Sequence, residues 1–426
     1  MTKYATLNNA LALSWIRNVG NPSLQRNSNR SGAFPMPALD DLVALDDFDF
    51  SGGLDANKLR SFFVHCYRHK VSDIHLQSGS PIIVDHYGRK VVTNKFNIDS
   101  SQLVRLVDEI YTPDIKSLVQ GGSGADRALQ LEGDNTGRFG LERGERVRYR
   151  TNFIQATIGS LNTAMAITLR IIPSAIPPLE TMGLEDDLRR SLLPMDGLGL
   201  TCGPTGSGKS TLLASTYQHY GETHPDGKVT TYEDPVEYLL GGPQWVLKPQ
   251  QSEIGRDVPS FADGLRLSLR QAPTLIGVGE IRDLDTLEAA IACAHSGHLA
   301  LSTLHAFSPG HAFSRCIRMA SSDTREQVAF DLLDALRFVI VQRLLPTTDG
   351  KRIAVREYVL FDDDWRSKLS QQHYSRWPDL INASLRESST RIADQTWELF
   401  VNGRVAEHVA EQVMGWREFN EKRKTT

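Results

Sequence analysis

The octapeptide GPTGSGKS, Gly203 to Ser210, has the spacing G-x-x-x-x-G-K-[ST]. Glycines at Gly203, Gly206 and Gly208 let successive backbone N–H groups turn inward and cradle phosphate oxygens, with Pro204, Thr205 and Ser207 filling the turn. Lys209 is placed to reach β- and γ-phosphates and Ser210 to hold Mg²⁺, with the nucleotide expected to sit on the whole stretch Gly203–Thr211. The apolar run LGLTC precedes the loop and STLLASTYQHYG follows it, so strand, loop and helix stand in the order the motif requires. The helix then points its positive end at the same phosphates. Such a loop identifies a nucleotide and leaves the task open.

Acidic residues follow the neighbouring apolar runs. TYEDPVEY puts Glu233, Asp234 and Glu237 just past KVTTY, where ligands of an open parallel sheet bind. They could position an attacking water or the waters of Mg²⁺, or form a solvated acidic turn ended by Pro235. TLIGVGEIRD leads from a short strand to Glu280, the expected general base or water-orienting group. Gly279 stands where an aspartate is usual, so metal ligation is expected to lean on Ser210, water and the acids near Glu233. The bland alternative for Glu280 is an acid answering a helix dipole.

Two further groups carry charge or ring nitrogens. RVRYRTNF places Arg148 and Arg150 on one face of a strand, and Arg170 ends AMAITLR. These arginines could meet surface acids or reach a bound nucleotide; their spacing does not decide between the two. AHSGHLALSTLHA holds His295, His298 and His305. Zinc needs three or four converging ligands, and Cys66, Cys202, Cys293 and Cys316 are scattered with no C-x-x-C pair.

The elements that must position these residues alternate from Thr181 onward. KVTTYEDP, TLIGVGE and LALSTL read as buried strands with helical stretches such as SFADGLRLSLRQ between them, which implies an α/β fold with a parallel sheet. Upstream, LDANKLRSFFVHCYRHK has helical spacing, and PIIVDHYGRKVV reads as two strands around a Tyr87–Gly88 turn. Residues 101–120 look helical, GGSGADRALQLEGDNTG from Gly121 reads as a loop, and strands return at RVRYRTNFIQATI and TAMAITLRII. The expected division is a flexible leader over 1–53 that opens with a short amphipathic helix, and a mixed α/β domain over 54–172. A linker follows over 173–180 (PSAIPPLE, with three prolines), then a nucleotide-binding core over 181–346 and a mostly helical, polar region over 347–426.

A chain of 426 residues with 40% hydrophobic and 23% charged content fits an ordinary globular protein of several domains. The net charge of −4 gives no overall drive toward nucleic acid. Scattered cysteines suit a reducing compartment. No apolar run approaches the roughly 18 to 20 residues needed to cross a bilayer, and the start lacks signal-peptide features. A cytoplasmic location is expected.

Taken in order, the motifs between Val71 and Pro346 resemble the type II/type IV secretion ATPase superfamily. VSDIHLQSGSP looks like the opening of its N-terminal domain, and RYRTNF and ITLRIIP like its arginine-bearing strands. GPTGSGKST, TYEDPVEY, IGVGEIRDLDTLEAA and SGHLALSTLHA look like its Walker A, Asp box, Walker B and His box. The resemblance implies a PAS-like N-terminal α+β domain, a RecA-like P-loop NTPase domain with a mainly parallel sheet, and a helical C-terminal tail. It also implies a homo-hexameric ATPase using ATP and Mg²⁺ and docked through inner-membrane or coupling components of a secretion, conjugation or pilus machine. Arg148, Arg150 and Arg170 would complete the site, and His298 and His305 would approach it. Because LALSTL reads as a buried strand, His305 at its carboxyl end is expected to face nucleotide and His298 to couple the site to a neighbour.

Two departures stand out: Ala272–Pro273 replaces the family's Asp-Pro, and Ala306 its terminal threonine. The chain lacks the four-cysteine insert of assembly motors, and the tail AVREYVLFDDDW lacks the retraction motors' signature. SDIHLQSGSPIIVDHYGR looks closer to type IVB (Dot/Icm-like) and IncI-plasmid transfer ATPases. The expected function is therefore ATP hydrolysis powering type IVB secretion or conjugative transfer, with pilus retraction as the alternative. A RecA-like nucleic-acid motor would need DNA-stimulated turnover, and the charge balance and lack of an aromatic–basic stripe disfavour it. A binding module that only assembles on nucleotide is disfavoured by the intact Lys209, Ser210 and Glu280.

Overall fold

A computed structural model describes residues 48–86, 89–172 and 175–425. The expected first helix, the leader up to residue 47, the Tyr87–Gly88 turn and the first two linker residues lie outside them.

The first domain begins with α1 (Ala56–Arg68), started by the Asp55 carboxylate, which accepts from Lys58 N at 2.7 Å. Leu59, Phe62, Phe63 and Cys66 recur at helical spacing and are buried. Strands β1 (Asp73–Gln77), β2 (Ile83–His86) and β3 (Arg89–Val92) follow, then α2 (Ser100–Ile110) and α3 (Asp114–Gln120). Strands β4 (Ala125–Glu132), β5 (Arg146–Ile158) and β6 (Leu161–Ile172) complete the sheet. Its order is β3-β2-β1-β6-β5-β4, with every neighbouring pair antiparallel. The helices cover one face, where Phe62, Ile74, Phe153 and Leu169 are fully buried. Tyr149 lies among them and satisfies its hydroxyl by donating to Phe63 O at 2.5 Å.

The segment after Gly121 was expected to loop; instead residues 125–132 form β4 along β5. Leu129 and Leu131 alternate into the core between exposed partners. An edge strand needs only that one face, so the glycines on either side do not prevent it.

The second domain starts with a turn at Leu179–Met182 and α4 (Asp186–Ser191). There follow β7 (Gly197–Cys202), α5 (Lys209–Thr223), β8 (Val229–Glu233), β9 (Gln250–Glu253), α6 (Phe261–Ser268) and β10 (Leu275–Val278). Then come α7 (Leu284–His295), β11 (Leu299–Leu304), α8 (Pro309–Met319), α9 (Arg325–Ala335), β12 (Leu336–Pro346) and β13 (Arg352–Leu360). The sheet order is β13-β12-β7-β11-β10-β8-β9, with β13 the antiparallel edge. Every residue of β7, β10 and β11 is buried, as a parallel sheet covered on both faces demands.

The boundary expected at 346 therefore falls too early, because β13 belongs to this sheet. The helices beyond it are α10 (Asp363–Ser370), α11 (Trp377–Glu387), α12 (Ile392–Val401), α13 (Glu407–Met414) and α14 (Trp416–Thr425). They are amphipathic: Trp377, Ile381, Leu385 and Ile392 are buried in the same core as Val339 and Val355. Trp377 is wholly buried against Phe313 and Phe330, and its truncation to Ala would cost about 3–5 kcal/mol.

Candidate active site

β7 ends at Cys202 and the chain turns sharply at Gly203, φ +145°. A Cβ there would lie 2.3 Å from Gln342 O, so only glycine fits. Gly206 and Gly208 also take positive φ, and Gly208 delivers the chain into α5. Pro204 and Thr205 lead into this turn, and Ser207 is buried with a hydroxyl that has no hydrogen-bond partner among the described residues. Lys209 is nearly buried and donates to the loop carbonyls of Gly203 and Pro204 at 2.9 and 3.0 Å. Burial pulls its ammonium pKa down, and Glu280 opposes that shift. Ser210 is exposed in the cavity, whereas the Thr211 hydroxyl pairs with Tyr238 OH at 2.9 Å.

The parallel register brings the ends of three strands level, since Val278 lies beside both Ser302 and Tyr232. Glu280, His305 and Asp234 consequently emerge on the same side. Arg282 joins them: its Nε donates to Glu280 Oε2 at 2.8 Å and its guanidinium reaches Asp234 Oδ2 at 3.3 Å. His305 Nε2 stands 3.4 Å from the other Glu280 oxygen. The hydroxyl of Thr303 donates to Gly279 O at 2.6 Å and fixes the turn that presents Glu280. Glu233 is half-buried and accepts from Thr231 Oγ1 at 2.6 Å and Gln251 Nε2 at 3.1 Å. Burial raises its pKa against those two hydrogen bonds.

The first domain supplies the opposite wall. Arg150 lies directly across from Arg170 in the β5–β6 register, a like-charge pairing that costs stability unless anions compensate. Carboxylates do so here: Arg170 Nε donates to Asp73 at 2.7 Å, and Arg150 lies 3.7 Å from both Asp126 and Glu237. Arg148 is placed differently. It is 5% exposed and donates to the backbone carbonyls of Val236, at 2.7 Å, and Glu237. It thus clamps the acidic segment to the first domain, and Glu237 is held through both its carbonyl and its carboxylate.

These groups surround a cavity of about 840 Å³ lined by both domains, from Arg150 and Arg170 to Lys209, Ser210, Glu280 and His305. His298 is not part of it; it sits at the other end of β11, where its carbonyl accepts from Gly197 N. Among the described residues no group of three or more His, Cys, Asp or Glu could hold a metal ion. Mg²⁺ binds through one or two protein groups plus substrate phosphates. Ser210, Asp234 and Glu237 line the cavity and are the residues that would hold it, partly through water. Among the described residues no helix is long and apolar enough to cross a membrane.

Comparison with known proteins agrees with this geometry. Residues 61–378 match the profile of the family described as type II/IV secretion system protein. The chain belongs to that family. The Escherichia coli protein YggR, itself uncharacterised, is 33% identical over 294 residues, 69% of this chain and 83% of its own. The solved ATPase DotB of Legionella pneumophila is 32% identical with a TM-score of 0.73, covering 83% of this chain and 95% of DotB. A solved pilus retraction motor, PilT with bound ADP, is 27% identical with a TM-score of 0.71, covering 84% of this chain and 97% of PilT. As a family member the chain carries the RecA-like core and helical C-terminal region that its motifs implied.

Arg282, Gln251, Thr303 and Gln342 went unmarked in the sequence. Arg282 had a local signal, lying two residues beyond Glu280 in EIRD. The others act through contacts 18, 24 and 135 residues away along the chain, which no local pattern displays.

Proposed function

We propose that the chain is the subunit of a homo-hexameric motor that hydrolyses ATP to power a type IVB secretion or conjugative-transfer apparatus. It would act on the cytoplasmic side and reach the inner membrane through partner proteins. The observation that carries the catalytic part is Glu280, gripped by Arg282 and His305 in the same cavity as Lys209 and Ser210.

The amides of 203–208 hold the phosphates, and Lys209 exchanges its two loop carbonyls for phosphate oxygens. Ser210, with Asp234 through water, would hold Mg²⁺, which supplies positive charge at the phosphate oxygens. Glu280 orients a water against the γ-phosphorus and takes its proton as the bond to the bridging oxygen breaks, releasing ADP and phosphate. Arg282 and His305 keep the carboxylate aimed. Arg150 and Arg170 offer positive charge from the other wall, and Glu233, bound by Thr231 and Gln251, stiffens the acidic segment.

Glu280→Gln should keep nucleotide binding and lose nearly all turnover in a phosphate-release assay; wild-type turnover would remove Glu280 from the mechanism. The likeness to DotB favours the type IVB branch, and that to PilT keeps retraction as the second reading. Deleting the gene in its host and scoring conjugative transfer and twitching side by side separates them. Lost twitching with normal transfer would reverse the choice.

A further inference from the structure

A buried chain of hydrogen bonds runs from the phosphate loop to the segment that leads in from the first domain. Gln342 on β12 donates from Nε2 to Ser207 O at 2.6 Å. Its Oε1 accepts from Arg356 Nε at 2.7 Å, the two residues being register partners in β12 and β13. The other nitrogens of Arg356 donate to Gly183 O at 3.0 Å and Met182 O at 2.8 Å. From α12, Gln395 brackets the Arg356 backbone, accepting from its N–H at 3.0 Å and donating to its carbonyl at 2.5 Å.

Arg356 is 2% exposed, and these side-chain partners are an amide and two carbonyls rather than a carboxylate. Burial pushes the guanidinium down to about 10, with the charge of Glu185 acting against the shift. A buried cation held by dipoles is a costly way to fill a core, and an apolar side chain of that volume would be cheaper. What the guanidinium adds is direction: its planar fork fixes the Gln342 amide and the 182–183 carbonyls at once. An amide left free could flip and present its oxygen to the Ser207 carbonyl. Met182 and Gly183 do not line the cavity.

We propose that Arg356 is a positioning residue that, through Gln342, links the conformation of the phosphate loop to that of residues 179–185, where the chain enters the second domain. Nucleotide binding is then communicated to the interdomain segment through the core rather than across the cavity. This rests on the reading of the loop as a nucleotide site.

The test uses the full chain, with hydrogen–deuterium exchange measured with and without a Mg²⁺–ATP analogue and affinity read from a fluorescent nucleotide. In the wild type, nucleotide should slow exchange over 179–185 as well as over the loop. Arg356→Met and Gln342→Met should weaken affinity by about tenfold, the effect of one charge-assisted hydrogen bond, and abolish the slowing at 179–185 alone. The double variant should be no worse than the worse single one, because both break the same chain. Nucleotide-dependent slowing at 179–185 that survives in the variants overturns the proposal. So do fully additive costs, or a rise in exchange equal with and without nucleotide, which marks a purely structural role. Should Arg356→Met fail to fold, Gln342→Met applies the same criteria at the other bond. A wild type that binds no nucleotide refutes the functional reading itself, whereas binding without slowing at 179–185 refutes only this inference.

Discussion

Glu280 is held by Arg282 on one oxygen and His305 on the other, and the water-orienting role proposed for it would gain from both. Removing Arg282 leaves Glu280 with one neighbour and frees Asp234 from its ion pair. Arg282→Ala is therefore expected to lower kcat about 10- to 100-fold, the usual cost of losing an orienting partner, with KM within about threefold. Steady-state kinetics would check it, and a pure KM effect would assign Arg282 to binding instead. The phosphate loop was legible in the sequence because its chemistry dictates residue types at fixed spacing. Arg282 offered only its place two residues beyond Glu280, because its importance exists once the β8–β10–β11 register brings Asp234, Glu280 and His305 level.

Elements were legible where burial is complete and obscure where it is partial. LALSTL could be marked from its apolar run and is β11 residue for residue. β9 reads QQSE and declares nothing, since it is an edge strand whose Gln251 faces Glu233 rather than a core. β13 hid in the tail because its alternation is blurred by Arg356 and Glu357, both buried polar residues. The turn before β10 carries a different mark. Ala272, where the family has aspartate, sits at φ +48° and is exposed. The left-handed conformation costs a side-chain-bearing residue about 1–2 kcal/mol, while glycine loses about 0.5–1 kcal/mol in the unfolded chain. Ala272→Gly should thus stabilise by about 0.5–1 kcal/mol, raising Tm by about 1–3 °C without changing turnover. Scanning fluorimetry decides it, and a lower Tm would mean that the turn is not strained.

The two domains are joined across the cavity by Arg148 and Arg150 of the first domain. Family resemblance assigned Arg148, Arg150 and Arg170 together to completing the site, but their surroundings divide them. Arg150 and Arg170 face the cavity with exposed guanidiniums paired to carboxylates they can leave. Arg148 is buried, its pKa held down by that burial, and its two terminal nitrogens donate to the carbonyls of Val236 and Glu237. Leaving those carbonyls to meet a phosphate would strand two buried acceptors, at about 1–3 kcal/mol each. The two roles predict different variants. A charge-stabilising arginine that is removed lowers kcat by about 10³ to 10⁵ and leaves the domains docked, which is the expectation for Arg150→Ala. For Arg148→Ala, turnover should fall by only about tenfold, while exchange at 146–150 and 236–238 rises even without nucleotide, because the clamp itself is gone. Kinetics and hydrogen exchange on the two variants in parallel distinguish these roles. If Arg148→Ala shows the large kcat loss with unchanged exchange, Arg148 leaves its carbonyls during the cycle and belongs with the other two. If it behaves as a clamp, the acidic segment that carries Asp234 moves with the first domain, so any rotation of that domain also moves the residues around the phosphates.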